Sequence, residues 1–138
     1  MDRALNYLAL ARKAGRVELG EEPVGAAARA QKARLILVAS DASDHTWRRA
    51  KSFVAGTGQQ CVRLPFTKDE MGMAVGRTSL AIAALTDPAM ALALLKSLPD
   101  PQQYAEAMEN LDRRTQRIRQ RQTEEKAHQH NKRFGKRK

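Results

Sequence analysis

The sequence predicts an α/β sandwich with a central sheet, and three observations carry this prediction. Short apolar runs alternate along the chain with amphipathic segments of helical period. The segment 34–39 carries a continuous apolar run, which is typical of a strand covered on both faces. Helix-start and helix-stop residues separate the segments. The length of 138 residues suits one domain of about 100 to 150 residues.

The first part of the chain predicts two helices, a connector and the buried strand. Gly15 can end the first helix, because glycine adopts the left-handed conformation that a helix C-terminus needs. Gly20 can begin the second, and the carboxylates of Glu21 and Glu22 suit the positive end of a helix. The expected elements are a helix over 2–14, a connector or strand over 17–19, a helix over 21–31 and a strand over 34–39.

The middle of the chain continues the alternation. Thr67 and Glu70 have the spacing of a capping box, in which each side chain bonds the other's free backbone amide. Asp87 followed by Pro88 is a further helix start, with Asp as the cap and Pro at the first helical position. The expected elements are a helix from Ser43 or Asp44 to about 55, a strand over 60–64, a short helix from 67, a strand over 79–85 and a helix to 98.

A boundary follows at residues 99–101, where two prolines flank an aspartate and oppose a continuous helix. We therefore divide the chain into a domain over 1–98 and a basic extension over 99–138. The extension predicts a helix over about 103–125, whose sparse apolar stripe either docks on the domain or leaves the helix solvated. From residue 126 the tail has almost nothing to bury, and we expect disorder unless it is bound.

Charge indicates the class of partner. The chain has a net charge of +10, and residues 111–138 hold 11 bases against three acids. Such a distribution favours polyanions, with nucleic acid the first candidate and an anionic membrane the second. No apolar run reaches about 20 residues and the start lacks a secretory signal, so we expect a cytoplasmic protein without a membrane partner.

Catalytic and cofactor signals are weak. Asp41, Asp44 and His45 lie close in sequence, but helix capping accounts for the acids and no nucleophile stands beside them. The single cysteine, Cys61, excludes an intramolecular disulfide and is expected to be a buried, inert thiol. We therefore predict no enzyme activity, no metal or cofactor and no small-molecule substrate.

Five short segments in order resemble a known family. They are LARKAG at 10–15, GEE at 20–22, the strand and loop at 33–43, AVGR at 74–77 and AALTD at 83–87. Together they resemble the ribosomal L-seven-Ae/L-thirty-e superfamily of RNA-binding domains, especially its bacterial YlxQ-like branch. The resemblance implies a three-layer α/β/α sandwich around a four-stranded mixed sheet. It also implies that the start of the second helix and the loop before the last strand clamp the sheared G·A pairs of a kink-turn RNA.

The resemblance implies that residues in and near those two segments of this sequence contact RNA. The chain departs from the archaeal and eukaryotic motif, because Glu22, Pro23 and Ala26 stand where those members carry Asn, Glu and Lys. Glu22 either accepts hydrogen bonds from a guanine edge or simply favours the helix dipole. The implied set is Arg12, Lys13, Arg16, Gly20, Glu21, Glu22, Gly76, Arg77 and Thr78.

The basic extension adds a second group of expected phosphate contacts, whose affinity would fall steeply with salt. Its members are Arg113, Arg114, Arg117, Arg121, Lys132, Arg133, Lys136 and Arg137. The sequence thus predicts a non-catalytic, ribosome-associated protein that binds structured RNA, with ribosomal proteins as further candidate partners. One alternative is a protein-interaction module that has lost the RNA clamp. Another is a stand-alone relative of the substrate-binding domain of some RNA methyltransferases.

Overall fold

The computed structural model describes the backbone of residues 2–134 and the side chains as far as residue 124, other than those of residues 119 and 122. Its sheet has the order β1-β4-β2-β3, with β1 and β2 antiparallel to β4 and β3 parallel to β2. The predicted four-stranded mixed sheet is therefore confirmed. The strands are β1 (Val17–Leu19), β2 (Leu35–Val38), β3 (Cys61–Arg63) and β4 (Ile82–Leu85).

Helices cover both faces of this sheet. They are α1 (Arg3–Lys13), α2 (Glu21–Arg29), α3 (Asp44–Val54), α4 (Lys68–Ala74), α5 (Pro88–Lys96) and α6 (Ala105–Phe134), with a 3₁₀ turn at Pro101–Tyr104 before α6. On one face α2 packs against α3, and on the other α1 packs against α4 and α5, which in turn packs against α6. Every residue of β2 and β4 is buried, as the three-layer sandwich requires. Within residues 2–134, no helix combines the length and apolar character needed to cross a membrane.

The starts of α3, α4 and α5 follow side chains that the sequence singles out. Ser43 and Asp87 accept hydrogen bonds from the first backbone amides of α3 and α5, and Asp2 does the same for α1. Thr67 and Glu70 form the predicted capping box at the start of α4. The caps of α3, α4 and α5 confirm the helix starts that the sequence predicts.

Several predicted elements are shorter in the structure, and two of these differences have a clear local cause. The strand expected over 79–85 begins only at Ile82, because the amide of Leu80 donates to the carbonyl of Lys68 (2.9 Å) instead of joining the sheet. The helix expected over 21–31 ends at Arg29, and Gln31 adopts a left-handed φ of 59°. In both places backbone hydrogen bonds within the loop replace those of the regular strand or helix.

The predicted helix of the basic extension docks on the domain. Leu111 is fully buried, Ala107 is nearly so, and the Thr115 hydroxyl donates to the Leu111 carbonyl at 2.9 Å. The apolar stripe therefore packs against α5, which decides between the two alternatives left by the sequence. The helix also runs to Phe134, beyond the predicted end at 125, because no Gly or Pro interrupts residues 105–134. The tail that the sequence predicts to be disordered begins within this range, at residue 126, and the structure gives its residues as far as Phe134 as helix.

Candidate nucleic-acid interface

Sheet topology brings the two predicted RNA-binding segments together. Because β1 and β2 run antiparallel to β4, the end of β1 and the start of β4 lie at the same end of the sheet. The amide of Gly20, just after β1, donates to the carbonyl of Ile82 in β4 at 3.0 Å. The start of α2 and the loop before β4 therefore adjoin, and we call residues 20–22 with residues 76–79 the Gly20 surface.

Gly20 has a conformation that favours glycine and allows a close approach. Its φ of 98° and ψ of 163° fall in a region that other residues almost never adopt. A β-carbon at this position would lie 3.9 Å from Nη1 of Arg77. The Arg77 guanidinium thus reaches the start of α2, where the helix leaves its first amides outside the intrahelical hydrogen bonds.

Gly72 shapes the loop that carries Arg77. A β-carbon on Gly72 would lie 2.7 Å from the amide nitrogen of Ser79 and 2.9 Å from the carbonyl oxygen of Arg77. The amide of Arg77 also donates to the Gly72 carbonyl at 2.8 Å. The loop is therefore folded tightly against α4, and its residues 76–79 are exposed.

Arg12 joins the loop from α1. Its guanidinium donates to the carbonyl of Val75, and a β-carbon on Gly76 would lie 3.0 Å from Arg12 Nη1. Gly76 has a φ of 74°, which again favours glycine. Arg12 and Arg77 consequently place two positive charges along the same loop.

The two carboxylates at the start of α2 have different surroundings. Glu21 Oε1 pairs with Nε of Arg49 on α3 at 2.6 Å, and the Arg49 guanidinium lies 5.0 Å from the centre of the Phe53 ring. This is the one ion pair among the side chains that the structure describes, so the exposed carboxylate of Glu22 has no ion-pair partner within that part of the chain. Glu22 is thus the carboxylate that faces solvent at the Gly20 surface.

The remaining predicted site residues are distributed differently. Thr78 is exposed in the loop and Lys13 is exposed at the end of α1. Arg16 lies at the opposite end of β1 from Gly20, where its carbonyl accepts from the amide of Thr86 at 2.9 Å. In the extension, Arg113, Arg114, Arg117 and Arg121 are on α6, the side chains of Lys132 and Arg133 are outside the described part, and Lys136 and Arg137 lie outside the described residues.

Sequence reasoning misses several residues that shape this surface. Gly72 could have been found from its place inside a helical segment, where glycine usually signals a close packing contact. Met73, 73% exposed, precedes the loop on α4 and carries no signal in the sequence pattern. Arg49 is far from Glu21 in sequence, so only the packing of α3 on α2 reveals their pairing.

The fold is a small α/β/α sandwich with a four-stranded mixed sheet, as the L-seven-Ae-like family has it. No family model matches the sequence. The chain is 33% identical to the RNA-binding protein YlxQ of Enterococcus faecium over 75 residues, which is 54% of this chain and 72% of that protein. The chain therefore belongs to the YlxQ-like branch of the L-seven-Ae/L-thirty-e superfamily.

Solved structures show the same fold at lower identity. A protein of unknown function from Bacillus halodurans superposes with a TM-score of 0.64 at 22% identity, over 70% of this chain and 96% of that one. The Giardia lamblia 15.5kD RNA-binding protein superposes with a TM-score of 0.57 at 16% identity, over 78% of this chain and 83% of that one. At these identities the similarity shows the fold alone.

Proposed function

We propose that this protein binds structured, kink-turn-like RNA without catalysing a reaction, and that the Gly20 surface is its recognition element. The observation that carries the proposal is the approach of the Arg77 guanidinium to Gly20 at the start of α2. Two segments distant in sequence thereby form one exposed surface with backbone amides and positive charge. The description of the Enterococcus and Giardia proteins as RNA-binding supports the same function.

Each part of the surface suits a different chemical group of RNA. Amides at a helix start donate to phosphate oxygens or base acceptors, and the guanidinium of Arg77 can form paired hydrogen bonds with a phosphate. The carboxylate of Glu22 accepts hydrogen bonds, so it suits the N1 and N2 donors of a guanine displayed in a sheared G·A pair. Arg12, held at the loop by the Val75 carbonyl, adds positive potential beside these contacts.

Carboxylates at the Gly20 surface would repel RNA, and the pairing of Glu21 with Arg49 reduces this repulsion. Unpaired carboxylates would repel the phosphate backbone, but the Glu21 charge is offset by a guanidinium 2.6 Å away. Only Glu22 of these two then remains to face the RNA, in the position where a carboxylate can meet base donors. Association with the ribosome, in the cytoplasm, belongs to the same proposal.

A second candidate function is protein binding by the same end of the domain. Met73 is 73% exposed immediately before the loop, and Leu10 of α1, which packs against α4, is 52% exposed. Exposed apolar side chains of this kind are more usual in a contact surface for protein than for phosphate. This function predicts no RNA binding by the Gly20 surface.

Binding of the full chain to a kink-turn RNA and to a matched duplex, at two salt concentrations, tests the proposed function. We expect the kink-turn to bind at least about 10-fold more tightly, since base contacts are worth about 1–3 kcal/mol each. Arg77→Ala and Glu22→Ala should abolish this preference. The charge-matched controls Lys96→Ala on α5 and Glu109→Ala on α6, both exposed, should keep it.

Two results would contradict the proposal. Equal binding of both RNAs by the unmodified chain would exclude recognition of the bent loop and leave only non-specific phosphate contact. No measurable binding of either RNA would favour the protein-interaction function, and a Met73→Ser variant would then be tested against candidate protein partners.

A further inference from the structure

Four arginines meet in a shallow cleft that is separate from the Gly20 surface. Arg114, Arg117 and Arg121 are spaced by three and four residues along α6, so they share one face of the helix. Arg34 comes from the domain itself, just before β2. Together with Ile118 these side chains line a cleft of about 170 Å³, which we call the arginine cleft.

The cleft is held together by contacts with the domain. Arg114 donates from Nη2 to the carbonyl of Gly58, in the loop before β3. The neighbouring Gln59 is buried, where its side chain accepts from the amide of Ala33 at 2.9 Å and donates to the carbonyl of Ala28 at 3.0 Å. The segments that carry Arg34 and Gly58 are therefore tied to each other, and α6 is tied to them.

Within the described side chains, no carboxylate balances the positive charge of the cleft. Among the side chains that the structure describes, none of these four arginines has a carboxylate within ion-pairing distance. Partial burial lowers the pKa of Arg114, and the nearby charges of Arg34 and Arg117 lower it further. Converging like charges disfavour one another, and a bound anion relieves that repulsion.

Phosphate is the anion that fits this arrangement best. Arginine's planar guanidinium offers forked donors that match phosphate oxygens, and several arginines along one helix face can contact successive phosphates of a strand. The cleft is open and shallow, with apolar lining from Ile118, and has no enclosed pocket for a small anion. An extended polyanion therefore suits it better than a free metabolite.

The arginine cleft lies at the opposite end of the sheet from the Gly20 surface. Arg34 precedes β2, and β2 is parallel to β1, whose far end carries Gly20. The four residues of β2 alone span about 13 Å. A ligand that contacts both places must therefore extend along the domain, as an RNA stem does.

We propose that the arginine cleft is a second RNA-binding surface, which contacts backbone phosphates of the RNA beyond the segment recognised at the Gly20 surface. This inference rests on the proposed function, because it takes RNA as the ligand. The cleft contacts phosphates, which are the same in every sequence. It therefore adds affinity and salt dependence to RNA binding without sequence preference. Arg34, which belongs to the domain, makes it a composite of domain and extension.

The salt dependence of RNA binding by two charge-matched triple variants tests this inference. The cleft variant combines Arg34→Gln, Arg117→Gln and Arg121→Gln and leaves Arg114 in place because it bonds Gly58. The control variant combines Arg3→Gln, Arg48→Gln and Lys96→Gln, which are exposed and do not line the cleft. Each loses three positive charges. The probe is a kink-turn RNA with one stem lengthened by a helical turn, and the short-stemmed RNA serves as its reference.

We expect the cleft variant to reduce the slope of log affinity against log salt by about three, and the control by less than one. The cleft variant should also lose the affinity gained from the longer stem while keeping its preference for the kink-turn over duplex. Equal slopes for the two variants would overturn the inference, as would an unchanged cleft variant. If the unmodified chain showed no kink-turn preference, the proposed function would fail instead, which the same titrations distinguish.

Discussion

Arg77 reaches over Gly20, with its Nη1 atom 3.9 Å from the position that a β-carbon on residue 20 would occupy. These two residues belong to segments far apart in sequence, and the hydrogen bond from Gly20 to Ile82 holds the segments side by side. The approach depends on the glycine conformation at the end of β1 and on the tight loop that carries Arg77. The proposed RNA recognition follows from this relationship, and so do the first two predictions below.

Gly20→Ala should destabilise the fold and weaken kink-turn binding together. Alanine must adopt a φ near 98°, which costs about 1–3 kcal/mol. Gly15→Ala is the matched control, because Gly15 also has a positive φ of 69° but no atom within 4 Å of its β-carbon position. Urea unfolding and RNA titration should show a stability loss for both variants and a binding loss for Gly20→Ala alone. A Gly20→Ala protein of unchanged stability would contradict the backbone conformation described here.

Gly72→Ala should displace the loop before β4. Its methyl group would meet backbone atoms of Ser79 and Arg77 at under 3 Å, and backbone cannot shift as cheaply as a side chain. We expect a loss of about 1–3 kcal/mol in the free energy of unfolding, with weaker RNA binding. Gly25→Ala provides the comparison, because its methyl would meet the Phe53 ring at 3.1 Å, and alanine gains helix propensity. Equal unfolding midpoints in urea for the two variants would refute the special role of Gly72.

Leu111→Ala should lower the stability of the whole domain. Leu111 is fully buried between α6 and α5, and truncation of a buried leucine typically costs about 2–5 kcal/mol. Ile118→Ala, on a half-exposed position of the same helix, should cost clearly less. Thermal or urea unfolding followed by circular dichroism measures both. If Leu111→Ala unfolded like the unmodified protein, α6 would not be docked on the domain.

Cys61 should be alkylated slowly at neutral pH. The thiol is half-buried on the edge strand β3, where the sequence predicts a buried one. Burial raises its pKa, and the charge of Lys51 partly offsets that effect. The native protein therefore holds the proton more tightly than the unfolded chain, and this contribution to stability is present at neutral pH and lost as pH rises above the unfolded pKa.

Iodoacetamide labelling across a pH series measures this shift. The midpoint for native protein should lie above that for urea-unfolded protein, and Lys51→Gln should raise it further while Arg48→Gln leaves it unchanged. A native midpoint at or below the unfolded one would show that burial does not control this thiol.

Local signals in the sequence are sufficient for most of the fold. Ser43, Thr67 and Asp87 are caps whose hydrogen bonds involve only neighbouring residues, so spacing alone predicts them. The continuous apolar run before residue 39 likewise predicts a strand buried on both faces. The family resemblance adds only that the sheet is mixed and four-stranded; the order and directions of its strands come from the structure, because pairing depends on residues distant in sequence.

The candidate site is less predictable for the same physical reason. The pairing of Glu21 with Arg49 and the meeting of Arg34 with Arg117 depend on how helices pack, and no local pattern encodes either. Arg16 illustrates the converse, because it is close to Gly20 in sequence while β1 carries the two residues to opposite ends of the sheet. Sequence proximity is thus a poor guide to which basic residues share a surface.

The most direct test of the central claim is amide chemical-shift mapping of the full chain as kink-turn RNA is added. We predict that amides of residues 20–22 and 76–79 shift together at low RNA ratios, and that a matched duplex does not shift them. Shifts confined to α6 and the arginine cleft, with the Gly20 surface unchanged, would contradict the claim that the start of α2 and the loop before β4 recognise RNA.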